Sequence, residues 1–333
     1  SNVGLFELSP FSKFDLKGEK AHEELQILCT ANIPNEPGKI KYTQMLNADG
    51  GIETDLTVIC IDKNYFRIVS SAANREHDKF HILKHISKDV KLTDVTEDYC
   101  CLGLFGPKSR DMISSISSDD FSNENFKFAT AKLVKINDIE LWAQRISYVG
   151  ELGFELYVKK ENALKLFDIL IDKGKSFKLS LCGMHAMDIM RMESGYLHWG
   201  HDISPEENQF EAGLNFAVSF KKNINFIGRA ALEKKRDKKD HKKFKMLILN
   251  HSKEGAPLLL HDEPIYLKDK IVGRTTSGCY SFNYNKNLAF GYINSGLTSD
   301  QIDKEAFEIE VEKKKYPASV ITRPLNNKKL SSL

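Results

Sequence analysis

No run of about 18 consecutive apolar residues occurs in this chain of 333 residues, so no bilayer-spanning helix is expected. The opening Ser1-Asn2-Val3-Gly4 lacks the basic stretch and apolar core of a secretory leader. An initiator methionine is missing too, and Ser1-Asn2 reads as a remnant of cloning, which predicts a domain cut from a longer polypeptide. Neither sign of charge dominates: 48 basic and 46 acidic residues leave a formal +2. That gives no electrostatic case for a nucleic acid or a membrane as partner. The six cysteines (Cys29, Cys60, Cys100, Cys101, Cys182, Cys279) form no CxxC pair and no compact disulfide framework. Reduced thiols are therefore expected, in the cytoplasm or, for a eukaryotic chain, the mitochondrial matrix. No GxGxxG follows a strand and no Walker A loop is present, so no FAD or ATP site is expected in this chain.

What is present is ordinary globular composition, 41% hydrophobic and 28% charged, over a length that suits two or three cores. Leu5 to Lys17 alternates polar and apolar residues as one strand would. Helices are predicted from Glu19 to Asn32, Ala73 to Ser87, about Ser109 onward, Glu161 to Lys173 and Met184 to Glu193. Strands are predicted at Ile40 to Leu46, Leu56 to Asp62, Tyr65 to Ser70 and Leu102 to Pro107, with a strand-rich stretch from Lys132 to Ile146. Mixed elements without regular βαβ spacing indicate an α+β class. The run Lys234 to Lys245 is densely charged, with Asp237 and Asp240 among the bases and no aromatic ladder, and reads as a solvated linker. Short strands after it, at Met246 to Leu249, Pro264 to Leu267, Lys270 to Thr276, Leu288 to Ile293 and Phe307 to Val311, predict a small β-barrel. The expected division is 1–235, a linker at 236–245, and a barrel at 246–325.

Two segments carry chemistry. In Tyr148-Val149-Gly150-Glu151-Leu152-Gly153-Phe154-Glu155, an aromatic hydroxyl and a carboxylate flank two glycines, where backbone can approach a flat ligand. In Met45-Leu46-Asn47-Ala48-Asp49-Gly50-Gly51-Ile52-Glu53-Thr54-Asp55, an acid stands just past a Gly-Gly turn. Alone, Asp55 reads as a turn-capping residue, Glu155 as an exposed strand residue and Tyr148 as a half-buried core aromatic. His77, His81 and His85 recur every four residues on a predicted helix. They read as an exposed face, with no metal site expected, because no second ligand cluster converges in sequence. His198-Trp199-Gly200-His201-Asp202 reads as a loop near the site, with packing and substrate contact both open.

Together, in this order and separation, the two segments resemble the folate-dependent aminomethyltransferase (glycine cleavage T-protein) family. The resemblance runs over residues 3 to 325. It is closest to the C-terminal folate half of dimethylglycine and sarcosine dehydrogenases, through 3–14 (VGLFELSPFSKF), 191–203 (RMESGYLHWGHDI), 211–214 (EAGL) and 226–229 (FIGR). The resemblance implies mixed α/β subdomains around a central cavity, with tetrahydrofolate as the one-carbon acceptor. Asp55 would face N10 of the folate, Glu155 would hold the pterin and Tyr148 would flank its ring. Tyr42, Met45, Val69, Ser71 and Phe216 fall where the family lines the folate pocket. Ser71 stands where Asn is usual, and Met187 where many aminomethyltransferases carry Arg. The implied reaction is methylene transfer from an iminium or aminomethyl donor, derived from a methylamine or amino acid, to give 5,10-methylenetetrahydrofolate. Any FAD would then belong to a separate or removed N-terminal dehydrogenase half. Two alternatives stand beside this: a T-protein served by a lipoyl carrier protein, and a folate-binding accessory protein without catalysis.

Overall fold

The computed structural model describes residues 2–236, 241–250, 253–254, 256–294 and 296–333. Among these, the strands form two open sheets and a barrel. One sheet runs β11 (Leu179–Cys182), β1 (Val3–Glu7), β7 (Tyr99–Phe105), β10 (Gly153–Lys159), β9 (Ile139–Gln144), β8 (Ala131–Ile136), antiparallel except for the β1–β11 pair. The second runs β3 (Ile40–Leu46), β4 (Ile52–Asp62), β5 (Tyr65–Ser70), β2 (Ser12–Lys17), β6 (Lys91–Asp94), all antiparallel. The closed barrel runs β12 (Lys243–Leu249), β15 (Lys286–Ile293), β14 (Lys270–Ser281), β13 (Pro264–Leu267), β16 (Ala306–Val311), β17 (Lys314–Ile321). The helices are α1 (Ala21–Leu28), α2 (Arg75–His85), α3 (Ser109–Ser114), α4 (Ala163–Gly174), α5 (Met184–Glu193), α6 (Gln209–Ala212), α7 (Arg229–Arg236) and α8 (Ser299–Ile302). The expected α+β class and C-terminal barrel are both present.

The stretch read as one strand from Leu5 to Lys17 is two, in different sheets: β1 belongs to the six-stranded sheet and β2 to the five-stranded one. Between them the chain turns at Leu8-Ser9-Pro10-Phe11, where the Phe11 amide returns to the Leu8 carbonyl at 3.2 Å. Pro10 has no amide hydrogen to give a ladder, so pairing breaks there. The two sheets are consequently interlaced in sequence, β1 and β7–β11 enclosing β2–β6.

Period-two alternation assigns each strand residue to a face. On β4, Leu56, Val58 and Cys60 point outward into a core completed by Leu25 and Leu28 of α1 and Ile82 of α2. On β10, Phe154, Leu156 and Val158 point outward, against Leu166 and Leu170 of α4. The inner faces meet in a third cluster, which includes Ile40, Ile59 and Val69 from one sheet and Phe105 and Tyr157 from the other, with Met187 of α5. Alternation therefore puts Asp55 beside Ile59, and Glu155 beside Tyr157, on inward-turned faces of the two sheets.

Helix α5 fastens the barrel. Arg191, 2% exposed, donates to Asp188 at 2.8 Å, to the fully buried Asp202 at 2.6 Å and to Ser277 Oγ of β14 at 2.7 Å. Asp202 also accepts from Thr276 and Ser277, at 2.6 and 2.8 Å, so the buried anion is well satisfied. Two residues on, Glu193 accepts from Ser281 Oγ at 2.7 Å. The charged run expected as a linker is divided: 234–236 close α7, 243–245 open β12, and 237–240 lie outside the described residues.

Candidate functional site

Asp55 is the fourth residue of β4 and pairs across the ladder with Gln44 of β3. The fully buried Gln44 donates from Nε2 to Asp55 Oδ1 at 2.9 Å. Tyr42, on the same face two residues earlier, turns its hydroxyl to the same carboxylate. Loss of hydration pushes Asp55 up to about 6, with Gln44 and Tyr42 opposing the rise and Asp78 adding to it. An acid titrating there exchanges protons readily near neutral pH.

Glu155, 9% exposed, is the third residue of β10. Tyr157 donates to its Oε2 at 2.7 Å, and no other group among the described residues donates to this carboxylate. Burial pushes Glu155 up to about 7, the Tyr157 bond pulling the other way. On the same face of the neighbouring strand, Gln144 has its Oε1 buried without a partner among the described residues. Unpaired buried acceptors cost about 1–3 kcal/mol each. A flat group with several N–H donors, such as a pterin's amide-like edge, fits these acceptors.

Tyr148, in the loop after β9, donates its hydroxyl to the Leu197 carbonyl at 2.8 Å and stacks on Tyr196 with centroids 6.1 Å apart. Burial raises its hydroxyl, with Arg191 opposing and Asp55 within electrostatic reach. With that proton committed to Leu197, the ring face is the feature left for a ligand. Val69 and Met187 belong to the apolar cluster against which Tyr148 packs. Ser71 is half-buried just past β5, and its carbonyl accepts from Ser12 Oγ at 2.9 Å. Phe216 is 74% exposed and stacks on Tyr42 with centroids 6.1 Å apart. Tyr42, Asp55, Val69, Tyr148 and Phe216 thus form one neighbourhood, and Glu155 faces it from the other sheet.

Three expectations need correction. Met45 does not line this region: it is fully buried on the opposite face of β3 and packs in the core with Leu25, Leu28 and Leu56. The odd–even alternation that turns Tyr42 and Gln44 inward turns Met45 outward. At Gly150 and Gly153 the space a side chain would take is filled by protein, not left open. A Cβ on Gly150, which has φ of +69°, would lie 1.9 Å from Ser194 Oγ, and one on Gly153 would lie 2.3 Å from the Phe105 ring. Close protein packing is what excludes a side chain at both. The histidines of α2 are not one exposed face: His81 is buried against the ring of His85, while His77 contacts Glu53 at 3.0 Å and Asp78 at 3.2 Å. His198 and His201 lie together, ring centroids 4.6 Å apart, and the Asp202 carboxylate accepts the His198 backbone amide.

Sequence reasoning missed Gln44, Tyr157 and Gln144. Gln44 lies two residues from Tyr42 and Tyr157 two from Glu155, so the strand period alone carries the signal for both.

Residues 1–222 match the GCVT N-terminal domain, and residues 242–326 the glycine cleavage T-protein C-terminal barrel domain. The chain is 35% identical over 332 residues to 4-methylaminobutanoate oxidase (formaldehyde-forming) of Paenarthrobacter nicotinovorans, covering 98% of this chain and 39% of that protein. Mitochondrial dimethylglycine dehydrogenase of Rattus norvegicus is 32% identical over 329 residues, 97% of this chain and 37% of the enzyme. The chain therefore spans under two fifths of the length of both. Aminomethyltransferase of Anoxybacillus flavithermus is 29% identical, covering 97% of this chain and 87% of that protein. In fold, the chain is similar to aminomethyltransferase T of the glycine cleavage system from Bartonella henselae, with a TM-score of 0.86 over 98% of this chain and 86% of that one, at 22% identity. With both characteristic domains in order and the strands and barrel they require, the chain belongs to the glycine cleavage T-protein, or aminomethyltransferase, family.

Proposed function

We propose that this chain binds tetrahydrofolate between its two sheets and transfers one carbon to it. The observation that carries this reading is the pair of acids on inward-turned faces, Asp55 and Glu155, both raised by loss of hydration, with Glu155 accepting from Tyr157 alone among the described residues. Glue for the pterin edge comes from Glu155, which accepts N–H donors as an ionised carboxylate, with Tyr157 fixing its second oxygen. Tyr148 offers a ring face, Val69 an apolar wall, and Tyr42 with Phe216 an aromatic pair near the mouth. Ser71 sits at the rim.

Asp55 serves at N10. In the net reaction both folate nitrogens lose a proton and bond to the same carbon, and the amine departs carrying both protons. Asp55 takes the N10 proton as that nitrogen attacks and stabilises positive charge while the carbon is delivered. The product is 5,10-methylenetetrahydrofolate.

The donor we favour is the iminium of an oxidised methylamine such as dimethylglycine or sarcosine, in keeping with the 32% identity to dimethylglycine dehydrogenase. A flavin-bearing N-terminal half or partner subunit would form that iminium, and FAD would reside there. A second reading, transfer from an aminomethyl group on a lipoyl carrier protein, is favoured by the 87% coverage of aminomethyltransferase. The test supplies each donor in turn to the purified chain with tetrahydrofolate and measures 5,10-methylenetetrahydrofolate. Product from the iminium alone supports the first reading; product from the carrier alone replaces it with the second. Folate binding with neither product leaves an accessory binding protein.

A further inference from the structure

We infer that Gln44 is the positioning residue for Asp55, and that its side-chain amide reverses when Asp55 takes up a proton. The inference rests on the proposed role of Asp55, but its geometry stands apart from any ligand. Gln44 is fully buried, faces Asp55 across the β3–β4 ladder, and donates from Nε2 to Oδ1 at 2.9 Å. Its own Oε1 is buried without a hydrogen-bond partner among the described residues. Buried amide oxygens are rarely left in that state, and this one lies on a side chain that already contacts the acid through its donor.

An amide group offers a donor and an acceptor of nearly the same shape. With Asp55 ionised, Nε2 is the correct partner. Once Asp55 carries a proton, its new O–H needs an acceptor. A half-turn of the Gln44 amide about its terminal bond brings Oε1 to that place, and the proton remains on Asp55 while Oε1 accepts from it. The carboxyl is then held in one orientation throughout a proton-transfer cycle. Because a bond to the charged form is the stronger one, the net effect of Gln44 is to favour the anion. The other groups facing Asp55 are the Tyr42 hydroxyl on β3, Asp78 on α2 and Tyr148 in the loop after β9. Of these only Asp78 is itself a carboxylate, and it opposes ionisation. The Tyr42 hydroxyl can also donate to the anion or accept from the acid, but among the described residues it is Gln44 Oε1 beside this carboxyl that is buried without a partner.

The experiment follows Asp55 directly by carbon NMR of the ligand-free chain labelled at aspartate carboxyls, the signal assigned by its loss in Asp55→Asn. In the parent, Asp55 is expected to titrate near 6. The Gln44 side-chain amide signals, assigned by their loss in Gln44→Met, should move with the same midpoint. In Gln44→Met the Asp55 midpoint should rise by about one unit, a tenfold shift in proton affinity. Amide signals that stay fixed while Asp55 titrates overturn the reversal. An unchanged midpoint in a folded Gln44→Met overturns the positioning role. Should that variant not fold, the amide titration in the parent decides alone. Neither readout requires folate, so failure of the proposed function would show in transfer assays and leave these signals untouched.

Discussion

Tyr157 donates its hydroxyl to Glu155 Oε2 at 2.7 Å from two positions along the same strand. Period two puts both on the inward face of β10, so the strand supplies an acid and the group that fixes its orientation. Only one oxygen is satisfied, and burial holds the acid near 7. The ligand-free protein thus keeps a half-satisfied carboxyl between its sheets.

That carboxyl makes stability depend on pH. The ordinary value is 4.5, and the folded value is raised to about 7. Below 4.5 both folded and unfolded chains hold the proton and there is no penalty. As pH rises toward 7 the unfolded chain ionises freely while the folded one resists, so stability falls, by up to about 3 kcal/mol in all. Glu155→Gln keeps the shape and cannot ionise. Urea unfolding should show the variant gaining on the parent between pH 4.5 and 8; a difference that does not change with pH would refute the burial of an unpaired acid here.

Folate binding should carry the opposite signature. An ionised Glu155 is needed to accept N–H donors, so affinity should rise with pH up to about 7 and level off above it. Calorimetry at three pH values checks this. Affinity falling over the same interval would contradict the assignment.

Asp55→Asn should retain folate affinity within a few-fold while methylene transfer drops by roughly 100-fold or more, the range for loss of a general base. Unchanged transfer in a single-turnover assay would remove Asp55 from the chemistry.

Much of this architecture was legible from sequence. Strands Ile40–Leu46 and Tyr65–Ser70 and helix Met184–Glu193 end where their periodicity ends. The sixth barrel strand, Lys314–Ile321, was not legible, because Lys313, Lys314 and Lys315 mask its alternation and half of its closure is pairing with the distant β12. The division of residues 5–17 between two sheets was hidden too: alternation is a local property, and sheet membership is decided by partners 48 to 101 residues away. At the site, the motifs singled out Asp55, Tyr148 and Glu155, while Met45 failed because a motif match says nothing about which face a strand residue takes. Tyr157 and Gln44 were within reach of the strand period, but their value comes from a bond to one acid, which only three dimensions reveal.

Arg191 should be the most sensitive position outside the site. Arg191→Met leaves Asp202 buried without its cation, and breaking a buried pair on one side costs roughly 3–5 kcal/mol. Urea unfolding should report a loss of that order. A loss under about 1 kcal/mol would mean that the hydroxyls of Thr276 and Ser277 suffice for Asp202.

The most direct test of the central claim is anaerobic calorimetric titration of the chain with tetrahydrofolate, beside Glu155→Gln. Binding by the parent is expected, with a weakening of roughly 1–3 kcal/mol in the variant, the scale for losing a hydrogen bond to a charged group in a buried site. Equal affinity in the two proteins would contradict the placement of the pterin at Glu155, and no heat from a folded parent would contradict folate binding by this chain.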